Sequence, residues 1–132
     1  MARELKRLMI EHDGFFLSCP EYNSSISSVL KNALDWVSRP LASSPLKGKD
    51  VAVLGASTGM FGAVWAQAEL RKVLTAMGAR VVDRELPVML AAEAFADDDA
   101  LADADQHRQL AEHVAVLVEA TQAGLQPAQQ AA

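Results

Sequence analysis

The feature that most constrains this chain is its alternation of short apolar runs with longer segments of helical period. Phe15-Phe16-Leu17-Ser18-Cys19 and Val51-Ala52-Val53-Leu54 are short and almost wholly apolar, as strands covered on both faces should be. Each precedes a stretch whose apolar residues recur every three or four positions. In the stretch from about Ser25 to Ser38 these are Ile26, Val29, Leu30, Ala33, Leu34 and Val37. In the stretch from about Phe61 to Met77 they are Ala63, Ala66, Leu70, Val73, Leu74 and Met77. A helix over Ala2 to Glu11, with Leu5, Leu8 and Met9 on one face, comes before the first strand. A third strand is expected at Val81-Val82, continuing over Leu86 to Leu90 after an interruption near Asp83-Arg84-Glu85. Leu110, Val114, Leu117 and Val118 mark a last helix. Strands alternating with helices imply right-handed crossovers and a parallel sheet.

Punctuating residues set the boundaries. His12-Asp13-Gly14 reads as a helix stop, with Gly14 free to take a positive φ. Pro20 ends the first strand, and Asn23, Ser24 or Ser25 is placed to cap the following helix. Pro40 forbids its continuation, and Leu41 to Lys49 is expected to be a loop. Gly78 stops the next helix. Asp97 to Asp105 reads as an acidic loop and helix start, and the chain from Gln126 onward as a frayed end.

Composition excludes several classes of function. With 51% hydrophobic and 22% charged residues, the 132-residue chain is expected to fold as one domain rather than stay disordered. The net charge of −5 and the lack of any stripe of Lys and Arg argue against a nucleic-acid surface. No apolar run approaches the length of a membrane span. Met1 to Arg7 carries mixed charges and does not read as a signal peptide. Cys19 is the single cysteine, so no intramolecular disulfide forms, which suits a cytoplasmic location. Cys19 itself reads as a packed strand thiol, and His12 as a helix-end residue. His107 and His113 are six positions apart and point to different sides of one helix, a poor arrangement for a metal. Asp97-Asp98-Asp99 lacks the spacing of a calcium loop and reads as solvated.

Two segments fall beyond the carboxyl ends of strands, where open parallel sheets bind ligands. Pro20-Glu21-Tyr22-Asn23-Ser24-Ser25 is a polar turn leading into a helix N-terminus, whose free N–H groups suit carbonyl oxygens or anions. Tyr22 adds a flat amphipathic ring beside them. Ala56-Ser57-Thr58-Gly59-Met60-Phe61-Gly62 is a small-residue loop that lets backbone approach a ligand closely. It is neither a Walker loop nor a GxGxxG fingerprint. Taken alone, this chemistry describes ordinary capped connections at least as well.

The motifs go further than the local chemistry. Pro20-Glu21-Tyr22-Asn23, followed by Val29-Leu30-Lys31-Asn32-Ala33-Leu34-Asp35-Trp36, resembles the signature of NAD(P)H-dependent FMN reductases, a family that includes bacterial quinone, chromate and azo reductases. Gly55-Ala56-Ser57-Thr58-Gly59 with Phe61-Gly62, Leu70-Arg71-Lys72-Val73-Leu74 and Met77-Gly78-Ala79 are similar to that family as well. The resemblance implies a flavodoxin-like three-layer α/β sandwich with a parallel sheet. It implies FMN held by Pro20, Glu21, Tyr22, Asn23 and Ser24, with Ser57, Thr58 and Gly59 opposite. NADPH or NADH would supply hydride, and a quinone, flavin, azo compound or metal oxyanion would accept the electrons. No side-chain catalyst and no metal ligand is implied. A homodimer or homotetramer is implied too, with Asn32, Asp35 and Trp36 placed to face a partner.

Family members open with a strand and a Gly-Ser-x-Arg type loop around the FMN phosphate, and no such sequence occurs in these 132 residues. The resemblance therefore implies one domain over residues 1–132, incomplete at its N-terminus and lacking the first two strands. The Phe15 to Cys19 strand is then expected on an exposed edge. A second reading follows: a non-catalytic remnant or assembly module that no longer binds FMN tightly.

Overall fold

A computed structural model describes the backbone of residues 2–130 and the side chains of residues 3–125. Helix α1 (Ala2–Glu11) leads into strand β1 (Gly14–Cys19). Two short strands, β2 (Glu21–Tyr22) and β3 (Ser25–Ile26), precede helix α2 (Ser28–Val37). A single 3-10 turn over Leu41–Ser43 interrupts the expected loop before β4 (Asp50–Ala56). Then come α3 (Val64–Ala76), β5 (Arg80–Val81), β6 (Pro87–Val88), the one-turn helix α4 (Ala91–Ala94) and the long α5 (Ala104–Gln130).

The expected parallel sheet is present. β4 pairs in parallel with the whole of β1, from Gly14 against Asp50 to Cys19 against Gly55. On its other side β4 pairs with β5 at Asp50 and Val51, and with β6 at Gly55 and Ala56. β5 and β6 are thus two halves of one broken strand. Arg71 holds the break open. Its guanidinium donates to the carbonyls of Val82 (2.7 Å) and Arg84 (3.0 Å) and to the Asp83 carboxylate (2.7 Å). β1 lies at the sheet edge, as expected. It is not covered on both faces: its residues alternate between part-buried and exposed until Cys19.

Side chains divide between the two faces with the period of a strand. Phe15, Leu17, Val51, Val53 and Val81 join Leu34, Leu46, Leu70 and Leu74 in the main core, under α1, α2 and α3. Ala52 and Val82 point the other way and meet Leu117 of α5. Three layers result. α1 is tied down by Lys49, whose ammonium donates to the carbonyls of Met9 (2.6 Å), Ile10 (3.0 Å) and His12. Those are carbonyls that a helix end leaves without partners, and a cation there also suits the dipole.

Several local expectations are corrected. Gly14 has no positive φ; it is extended and starts β1. Its reason for being glycine is clearance, because a Cβ there would lie 2.5 Å from Thr121 Oγ1 of α5. The cap of α2 is Ser27, not Asn23, Ser24 or Ser25; its side chain accepts from Leu30 N–H. α3 starts at Val64 rather than Phe61, whereas Gly78 ends it at φ +88° as expected. On α5 the inward stripe is His113, Leu117 and Thr121, while Val114 and Val118 stay half-exposed. The frayed end expected from Gln126 onward is helical instead, since α5 continues to Gln130.

His113 is fully buried and donates through Nε2 to the Val53 carbonyl (2.9 Å), with its ring edge-on to Phe16 at 5.5 Å. Burial holds its pKa below the ordinary value, and the cations of Arg84 and Arg71 push the same way. A depressed folded-state pKa means that the unfolded chain binds the proton first. The contribution of His113 is therefore present above the unfolded pKa of 6.5 and is lost as pH falls below it. Urea unfolding between about pH 7.5 and pH 5 is expected to show stability falling more steeply for the wild type than for His113→Gln. Parallel slopes would contradict a neutral buried imidazole at this position.

Candidate functional site

Two turns leave the sheet at one end. Cys19 and Gly55 are register partners at the carboxyl ends of β1 and β4, so the segments that follow them start side by side, about 4.8 Å apart. Gly55 makes that closeness possible. A Cβ there would sit 2.9 Å from Ala63 Cβ, 3.1 Å from the Cys19 carbonyl oxygen and 3.2 Å from Gln67 Cγ. Pro20, Glu21, Tyr22, Asn23 and Ser24 lie on the first segment. Ser57, Thr58 and Gly59 lie on the second.

The first segment is not the N-terminus of a helix. It is a tight antiparallel hairpin in which Glu21 pairs with Ile26 and Tyr22 with Ser25. Asn23 and Ser24 form its two-residue turn, both at positive φ (51° and 59°). Two successive left-handed residues match the twist of a hairpin, and asparagine accepts that conformation more readily than most side chains. Asn23 and Ser24 are exposed, as are Pro20 and the Tyr22 ring. The Asn23 and Ser24 N–H groups have no hydrogen-bond partner among the described residues.

The hairpin is braced by α3. Ala63, the residue before that helix, has a left-handed backbone and no side-chain acceptor, so the helix start is uncapped locally. The Glu21 carboxylate takes that role and accepts from Ala66 N–H at 3.0 Å. A carboxylate at a helix N-terminus also complements the dipole. One turn further on, Glu69 accepts from the Ser25 hydroxyl at 2.5 Å. Glu69 carries no signal in the sequence, because its partner lies 44 residues away.

The second segment is closed onto the chain that follows β6. Ser57 N–H donates to the Val88 carbonyl (3.0 Å), Leu90 N–H to Gly59 (3.1 Å) and Ala91 N–H to Ser57 (2.9 Å). Gly59 N–H donates to Ser57 Oγ at 3.1 Å. The carbonyls of Ser57 and Gly59 are thereby used. Among the described residues, the N–H groups of Thr58, Met60, Phe61 and Gly62 remain without partners. Both turns therefore present backbone donors at the same sheet end. Apolar side chains border them: Tyr22, Met60, Phe61 and Trp65 are all exposed, and the Phe61 and Trp65 rings lie 5.0 Å apart.

Titratable chemistry is sparse here. Cys19 is buried, and desolvation, with the charge of Glu21 adding to it, pushes its thiol pKa up to about 11. It is a neutral packing group, as its sequence context implied. Among the described residues no cluster of His, Cys, Asp or Glu is placed to hold a metal ion. What the arrangement offers is shape, hydrogen-bond donors and apolar walls. Glu21→Ala is expected to lower stability by about 1 kcal/mol in urea denaturation by uncapping α3. An unchanged unfolding midpoint would show that the cap contributes nothing.

Comparison with known proteins agrees with this architecture. The family model described as NADPH-dependent FMN reductase matches residues 1–93. An NAD(P)H-dependent FMN reductase of Pseudomonas aeruginosa is 41% identical over 99 residues, which are 74% of this chain and 52% of that protein. A 2-hydroxy-1,4-benzoquinone reductase of a Burkholderia species is 47% identical over 73 residues, 55% of this chain and 40% of that protein. The chain thus spans about half the length of these curated relatives. The solved structure of FerB, a flavoenzyme NAD(P)H:(acceptor) oxidoreductase from Paracoccus denitrificans, superimposes with a TM-score of 0.80 at 32% identity, covering 93% of this chain and 68% of that one. With its flavodoxin-like sandwich and these matches, the chain belongs to the NADPH-dependent FMN reductase family.

Proposed function

We propose that this chain supplies the flavin-ring site of an NAD(P)H-dependent FMN reductase. The observation that carries the reading is the pair of neighbouring turns with unused backbone donors, set beside exposed aromatic side chains. The edge of an isoalloxazine ring bears carbonyl oxygens and ring nitrogens, which need donors, while its faces need apolar contact. Asn23 and Ser24 on one turn, with Thr58, Met60 and Phe61 on the other, fit that requirement. Pro20, Glu21 and Tyr22 complete the first wall, and Ser57 and Gly59 shape the second.

When bound, FMN supplies the redox chemistry, taking hydride from NADPH or NADH and passing electrons to a small acceptor such as a quinone, free flavin, azo compound or metal oxyanion. The protein's share is to orient the ring, to donate hydrogen bonds to it and to keep water from its face. No side-chain acid or base is needed for that share. Cys19, held neutral below the ring turn, adds no competing thiolate.

The reading extends to assembly and location. A homodimer or homotetramer is supported by exposed Val29 and Trp36 on α2, apolar groups that a monomer gains nothing by showing to water. Asn32 and Asp35 lie on the same helix. Use of NAD(P)H and a single unpaired thiol favour the cytoplasm. The net charge of −5 disfavours nucleic acid, and among the described residues no helix is long and apolar enough to cross a membrane.

The test is direct. The purified chain, mixed with FMN and separated from excess, is expected to be yellow and to oxidise NADPH when a quinone is present. A colourless chain with no NADPH oxidation would defeat the reductase reading. If that colourless chain also runs as a dimer or larger, the assembly-module reading takes its place.

A further inference from the structure

One buried side chain of the α3 frame is out of keeping with its surroundings. Gln67 is fully buried on a face otherwise made of Ala66, Leu70 and Leu74. An amide in such a place destabilises a fold unless every polar atom is paired. Leucine would serve packing better. The amide is paired, and every partner belongs to the frame around the second turn. Its Nε2 donates to the carbonyls of Gly62 (3.0 Å) and Leu86 (3.3 Å), and its Oε1 accepts from Leu86 N–H (3.3 Å).

Those three bonds tie α3 to the close of the second turn at Gly62 and to Leu86, just before β6. Gly62 closes the turn at φ +56°, and a Cβ there would lie 2.6–2.9 Å from Pro87 atoms, so the turn is pressed against the start of β6. Leu86 is the residue before β6, and its carbonyl also accepts from Gly55 N–H. Gln67 Cγ lies beneath Gly55 itself. The end of β4, the close of the turn and the start of β6 therefore meet at one side chain.

We propose that Gln67 is a positioning residue: its buried amide fixes the path of residues 57–62, and with it the direction in which their free N–H groups face a ligand. The proposal rests on the flavin reading for the identity of that ligand. Its mechanical part stands on the hydrogen bonds alone. Ala66 N–H, given to Glu21, and Glu69, which accepts from Ser25, brace the first turn from the same helix, so α3 sets the spacing between the two turns.

The test uses the whole chain carrying Gln67→Met, which keeps the volume and removes all three bonds, and Gln67→Glu, which keeps only the bond from Leu86 N–H. Amide hydrogen exchange is read without FMN, and FMN affinity and the visible spectrum of bound FMN are read separately. In both variants the amides of Gly55, Ser57, Leu90 and Ala91 are expected to exchange about tenfold faster, while Leu70 and Leu74 of α3 keep their protection. FMN affinity is expected to weaken about tenfold and the spectrum of the bound ring to shift. Loosening of those loop amides in a chain whose wild type takes up no FMN supports the positioning role and refutes the flavin reading. Unchanged loop protection overturns the positioning role whatever FMN does. So does an equal loss of protection across the whole chain in both variants, because Gln67 is then a packing residue only.

Discussion

The structure depends on the parallel pairing of β1 with β4. Because the two strands run the same way and end in register at Cys19 and Gly55, the chain must turn twice at one end of the sheet. A slip of β4 by one residue against β1 would send Val51 and Val53 to the wrong face. It would also carry Gly55 away from Ala63 and Gln67, where only a glycine leaves room. Core packing and site geometry are thus set by the same alignment.

The pairing brings the turns together but does not shape them. Shape comes from α3, which spends an unusual share of its first turns on groups outside itself. Its N-terminal N–H at Ala66 is given to Glu21, Glu69 holds Ser25, and Gln67 holds Gly62 and Leu86. Each bond is modest in free energy, on the order of 1 kcal/mol net. Their value lies in where they act. They replace freedom in two exposed turns with fixed backbone directions, which is what a flat ligand with an edge of acceptors requires.

The strands were legible in the sequence because an apolar run bounded by Pro20 or Gly55 leaves few alternatives, and α3 was legible from its period and from Gly78. The break between β5 and β6 was legible from the charged triplet Asp83-Arg84-Glu85, although Arg71, which maintains it, was not. The hairpin at Glu21 to Ile26 was hidden for a physical reason. A two-residue hairpin turn is most readily seen as Asn-Gly, whereas here the second residue is Ser24, and four serines between positions 24 and 28 all look like helix caps. Only Ser27 stands directly before the helix, where its hydroxyl reaches Leu30 N–H. Gln67, Glu69 and His113 share another limit. Their partners are backbone groups or side chains 5 to 60 residues away, so no local pattern marks them. The family motifs pointed to the two turns as segments, and the structure adds which of their groups are already committed.

The central claim is that these two turns act together on one ring. Amide chemical shifts followed during titration of the full chain with FMN test it most directly. Asn23 and Ser24 are expected to move in step with Thr58, Met60 and Phe61, at one common saturation, while Lys6 and Thr121 at the far end of the sheet stay still. Shifts confined to one turn, or spread evenly over the surface, would contradict it.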